Sequence, residues 1–132
     1  MTQEGKNMKT DIVKLNSQGA QLLEDFVKKM GIEGAILATS EGLEMASYFT
    51  DNNRDADLIA ADSASMLSII GSMLENTDKG NLKEMIISAE KGSIAVKDLG
   101  DDIALAVLAP ENYKMGGLIV SLKTFTKEVQ EF

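Results

Sequence analysis

Apolar positions along the chain follow two different periods. Ile12, Leu15, Gly19, Leu22, Phe26 and Met30 recur every three or four residues, which predicts a helix. Lys28 and Lys29 suit its C-terminal dipole, and Gly31 can cap it. Two short segments follow. "GAILAT" reads as a buried strand, and "LEMASY" alternates, with Leu43, Met45 and Ser47 opposite Glu44, Ala46 and Tyr48. Between them "TSEG" fits a hairpin turn, because Gly42 can take the positive φ such a turn demands. A polar loop over 51–57 leads into a long helix from about Asp55 to Asp78, with an apolar arc of Ile59, Met66, Leu67, Ile70, Met73 and Leu74. Its remaining face is expected to carry only small side chains: Ala60, Ala61, Ala64, Ser65, Ser68, Gly71 and Ser72. Such a face lets another backbone come close.

"LKEMIISAE", "SIAVKDL" and "DIALAVLA" then read as three strands, broken by "KG" and "GD" turns into an antiparallel meander. Pro110 and Asn112 end the sheet, and a last helix carries Leu118, Leu122, Phe125 and Val129 on one stripe. The order is helix, two strands, helix, three strands, helix. Residues 1–10 are expected to be a flexible polar tail, and 11–132 a single α+β domain.

Composition narrows the chemistry more than the fold. At 132 residues the chain can bury a real core without staples. It has no cysteine and no histidine, so thiol nucleophiles, thiolate metal sites and Ser-His or Cys-His arrangements are excluded. The net charge of −8 disfavours nucleic acid and anionic lipid. The first ten residues lack the apolar core of a signal peptide, and the longest apolar run, Ile103–Ala109, is far short of a membrane span. A cytoplasmic protein with no direct membrane insertion is expected.

Three motifs invite chemistry, and each has a plainer reading. Ser40 and Glu41 sit in the first turn without the flanking glycine or the histidine of a nucleophile elbow. "DNNRDADLIAAD" places Asp51, Asn53, Asp55 and Asp62 at positions one, three, five and twelve of a calcium loop. Ala56 then stands where glycine is needed and Asp62 where a bidentate glutamate is usual. Asp55 and Asp57 are read instead as helix-capping residues, and no metal or cofactor is expected. "MGGLIVSL" could offer N–H groups to an anion, but paired glycines more often let a helix pack closely on a sheet.

The hairpin "GAILATSEGLEMAS", the helix "DADLIAADSASMLSIIGSMLEN" and the run from "LKEMIISAEKGSIAVKDLG" to "GGLIVSLKTFTKEV" together resemble the roadblock family, named for a dynein light chain. Many members carry Asp-Gly where this chain has Glu41-Gly42. The family also contains bacterial and archaeal regulators of small Ras-like GTPases. The resemblance implies a five-stranded antiparallel sheet with the long helix on one face and the first and last helices on the other. It also implies homodimers in which the third strands pair edge to edge and the long helices lie side by side. On that reading the dimer interface comprises Ala60, Ala64, Leu67, Gly71, Met85, Ile86, Ile87 and Ser88, and a GTPase docks around Ala61, Ser65, Ser68 and Ser72.

The residues independently suit such an arrangement. "LKEMIISAE" is apolar on both faces, and on a free edge it would be an aggregation hazard unless a second copy paired with it. The function expected is a non-catalytic homodimeric regulator or cofactor of a small GTPase. The alternatives are a dimeric scaffold without effect on hydrolysis, or a small-ligand sensor. Arg54, the only arginine, is the sole candidate for an arginine finger. Asp51, Asp55 and Asp57 surround it and oppose a triphosphate. The resemblance implies instead that the dimer repositions the GTPase's own residues.

Overall fold

The computed structural model describes residues 12–131, with side chains from Ser17 onward; the expected tail and the side chains of Ile12 and Leu15 lie outside the described residues. The elements are α1 (Ile12–Met30), β1 (Gly34–Thr39), β2 (Glu44–Phe49), α2 (Ala56–Asn76), β3 (Met85–Ala89), β4 (Gly92–Gly100), β5 (Ile103–Pro110) and α3 (Met115–Gln130). The strands form one antiparallel sheet in the order β2-β1-β5-β4-β3, so β3 and β2 are its edges.

Local chemistry accounts for the ends of these elements. Gly31 ends α1 in the left-handed region at φ 68°, its N–H donating to Val27 O at 3.0 Å. In the first hairpin Gly42 has φ 94° and donates to Thr39 O at 2.9 Å, and the Thr39 hydroxyl accepts from Leu43 N. Ser40 and Glu41 thus sit in a turn. Asp55 is the N-cap of α2, its carboxylate accepting from Leu58 N at 3.1 Å, with Asp57 in the first turn. Asp51 accepts from Asn53 N at 3.0 Å.

The sheet is filled on both faces, as its sequence requires. β5 is buried from Ile103 to Val107 because the central strand is covered twice. On one face α1 and α3 bring Leu23, Phe26, Val27, Leu118, Leu122, Phe125 and Val129 against Leu37, Leu105 and Val107. Phe26 and Phe125 meet with ring centroids 4.5 Å apart, tilted by 50°, a geometry worth about 0.5–1.5 kcal/mol beyond their area. Tyr113 ties the start of α3 to the end of α1, its hydroxyl donating to Met30 O at 2.7 Å. On the other face α2 covers Ile36, Ala38, Val96 and Ala106 with Ala60, Ile59 and Leu67.

Two sequence expectations need correction. In β2 the expected alternation is not kept: Ala46 is buried, Met45 and Tyr48 both pack partly against the same core, and Leu43 is exposed. A bulge between Leu37 and Ala38 opposes Leu37 to Ala46 but Ala38 to Glu44, so strict alternation breaks there. Second, Gly116 and Gly117 do not mediate close packing. A Cβ on Gly116 would meet nothing within 4 Å, and one on Gly117 would make only an ordinary contact with the Tyr113 ring. Close approach requires glycine elsewhere: a Cβ on Gly19 of α1 would lie 2.8 Å from Ala46 Cβ on the sheet, and one on Gly92 would lie 2.5 Å from Ala109 O.

Candidate interaction surface

β3 is short, apolar and unprotected. Between Met85 and Ala89 it has neither proline nor lysine, the usual guards of an edge strand. Its backbone pairs with β4 on one side only. Successive side chains point to opposite faces, so Ile86 packs into the α1/α3 core and Met85 into the α2 core. Ile87 points the same way as Met85 but lies beyond the cover of α2. It stands opposite Ile94 of β4, and each of the pair is 37% exposed. Ser88 and Ala89 are exposed as well.

α2 also carries exposed apolar side chains. This helix lies mainly over β1, with lesser contact to β2, β5 and β4. Its outward side carries Leu58, Ile69 and Met73, which are 56%, 63% and 57% exposed. The expected division of the helix holds only in part: Ile59, Met66 and Leu67 pack toward the sheet and Ala61, Ser65, Ser68, Gly71 and Ser72 are exposed, but Met73 lies outside and Ala60 and Ala64 turn inward. Ala60 and Ser63 are its buried residues, and Ala64 and Leu67 are half-buried beside them. Spacings of three and four residues from Ala60 put Ala56, Ala64 and Leu67 on the sheet-facing stripe, where small side chains let the helix approach closely.

The predicted site residues are consequently divided. Ala60 is enclosed within the protomer, and Ala64 and Leu67 partly so, while Gly71 is exposed at the edge of a cleft. Met85 and Ile86 are half-buried; Ile87 and Ser88 are exposed along the edge strand. Ala61, Ser65, Ser68 and Ser72 are all exposed on α2. Leu58, Ile69, Met73 and Ile94 were not among the expected surface residues. Their apolar character marks them as core in any sequence reading, and only the position of α2 leaves them outside.

Two clefts flank this surface, at opposite ends of the strands. One, of about 430 Å³, lies between α2 and the β4–β5 turn and is lined by Ser40, Leu67, Ser68, Asp98, Asp101 and Asp102, among others. The other, of about 350 Å³, lies at the β3–β4 turn, with Ala89, Ile94, Leu108 and Ala109 inside and Arg54, Lys91 and Glu33 around them. Among the described residues the ion pairs are Lys28–Glu24 at 2.6 Å and Lys29–Glu128 at 3.4 Å, so neither Arg54 nor Lys91 is engaged in one. Also among the described residues, no group of three or more acidic side chains is gathered as a metal-ligand set. The arrangement combines exposed apolar side chains, a free strand edge and few convergent polar groups.

A family model described as the Roadblock/LC7 domain matches residues 19–109. Solved structures share the fold. MglB of Myxococcus xanthus superposes with a TM-score of 0.78 at 15% identity, over 85% of this chain and 91% of that one. A Roadblock/LC7 domain from Streptomyces avermitilis gives 0.75 at 22% identity, over 85% and 94%. An MglB described as having a tetrameric arrangement gives 0.78 at 16% identity, over 88% of each chain. At these identities the likeness is one of fold. No curated protein matches the sequence.

Proposed function

We propose that this chain, which belongs to the Roadblock/LC7 domain family, is a non-catalytic homodimeric regulator or cofactor of a small Ras-like GTPase, acting in the cytoplasm through protein–protein contact. The observation that carries the reading is the unpaired, apolar β3 edge, with Ile87 and Ile94 exposed on the side of the sheet that α2 covers and Ile69 and Met73 exposed on α2 itself. Pairing β3 with β3 of a second copy satisfies the edge and extends the sheet, and a two-fold axis brings both α2 helices to the same side. The tetrameric arrangement described for one MglB of this fold fits a chain that self-associates.

α2 is long and apolar enough to match a membrane span by length and composition. It nevertheless carries Asp57, Asp62 and Glu75 and packs Ala60 and Ser63 against the sheet, so we assign its apolar side to protein contact. The GTPase then docks on the exposed Ala61, Ser65, Ser68 and Ser72 and the cleft beside them. The test is affinity capture with the wild-type domain, followed by single-turnover GTP hydrolysis on any Ras-like protein recovered. Ser68→Arg should abolish capture while leaving the circular dichroism spectrum unchanged. Arg54→Ala, assayed at concentrations that keep the variant dimeric, should stay within about tenfold of wild type, well short of the ~10³–10⁵ loss of a missing arginine finger. Capture of no GTPase, or capture without effect on turnover or location, would favour the scaffold reading instead.

A further inference from the structure

We propose that the cleft framed by Arg54 and Lys91 is a clamp for the C-terminal end of α2 from a second copy of this chain. The inference rests on the homodimer reading above and specifies a contact that reading leaves open.

The topology brings these parts together. α2 crosses the sheet obliquely. Its first turn lies near Phe49, on the β2 side; its last turns lie beside Leu82, Asp98 and Gly100, at the β4–β5 turn. The β3–β4 turn, with Lys91 and Gly92, is at the opposite end of the strands. Arg54 belongs to that opposite end too, since it follows β2, whose Phe49 is paired with Gly34 at the start of β1. A two-fold axis that pairs β3 antiparallel with its copy reverses the strand direction. The copy's β4–β5 end, and with it the end of its α2, then arrives at this protomer's β3–β4 end, beside Arg54 and Lys91.

The chemistry of the two parts is complementary. The end of α2 has no basic residue in its last turn. It presents the negative pole of the helix dipole together with Glu75 and Asp78, offset by Lys79 alone, and Met73 beside them is exposed. The cleft has an apolar interior of Ala89, Ile94 and Leu108 that can take an apolar side chain, with two cations at its rim against Glu33. Arg54 forms no ion pair with its acidic neighbours among the described residues: Asp55 caps α2, Asp51 accepts from Asn53 N, and Asp57 lies in the first turn of α2. Arg54 and Lys91 are therefore left for a partner, in a chain whose net charge is −8.

The experiment is a dilution series by analytical ultracentrifugation at low and high salt, with circular dichroism as the folding control. Arg54→Glu/Lys91→Glu should raise the dimer Kd at least about tenfold at low salt, and less at high salt, because exposed ion pairs are screened. Glu75→Lys/Asp78→Lys should do the same, and the four changes combined should bring Kd back to within about threefold of wild type. Rescue by the combined reversal supports the clamp. A dimeric wild type whose Kd is moved by neither reversal overturns the clamp while leaving the dimer standing. A wild type that stays monomeric at 100-fold higher concentration overturns the dimer itself, and the clamp with it.

Discussion

Replacing Ile87 with Lys separates the stability of the protomer from its association. Ile87 is 37% exposed, so roughly two-thirds of its side chain is covered within one copy. Full burial of an isoleucine is worth about 1.5–3 kcal/mol, which puts about 1–2 kcal/mol of protomer stability at risk. The lysine stem recovers part of that by lying along the same apolar surface with its ammonium in water. A domain of this size has about 5–15 kcal/mol to lose, so the variant should fold. The dimer is affected more. A two-fold axis introduces the substitution twice, removing the exposed third of two isoleucines, about 1–2 kcal/mol. It also places like charges near each other across paired strands. Together these correspond to at least about a tenfold rise in dimer Kd, since 1.4 kcal/mol is a factor of ten. Sedimentation velocity across a dilution series reads the Kd, and a urea melt reads the stability. A variant with native circular dichroism and a dimer Kd within threefold of wild type would refute the assignment of β3 to the interface.

The facing of α2 is tested by Ala60→Leu and Ser65→Leu. The first crowds a fully buried position and should lower stability by about 1–3 kcal/mol, while the second, on the exposed side, should stay within about 0.5 kcal/mol; equal effects in urea melts would show the helix rotated. Asp55→Ala should cost about 1 kcal/mol with an unchanged m-value, because it removes the bond to Leu58 N and little buried surface. The Glu24 hydrogen bond, and then its charge, hold the Lys28 ammonium above the ordinary value of 10.5. A raised value contributes stability that is complete below 10.5 and is lost as pH climbs through the folded value. Glu24→Gln should therefore lower the Lys28 titration midpoint seen by NMR, and a midpoint that does not move would rule out the assigned cause.

The sequence determined the elements of this domain and their order, because each rests on interactions a few residues apart. The three-to-four period of Leu22, Phe26 and Met30, the turn at Gly42, the cap at Asp55 and the doubly apolar Ile103–Val107 strand depend on local geometry alone. The resemblance carried the layering of the sheet between α2 and the α1/α3 pair. What the tertiary structure alone decided was which side of α2 meets the sheet. Both sides hold apolar or small residues, so the hydrophobic pattern cannot choose between them. The choice falls to the shape of the sheet, where Ile36 and Val96 stand among alanines and admit Ala60 and Ser63 but leave Ile69 and Met73 outside. The same holds for the cleft at Arg54 and Lys91. These residues are 37 positions apart in sequence, and only the antiparallel return of β4 and β5 beside β1 brings them to one rim.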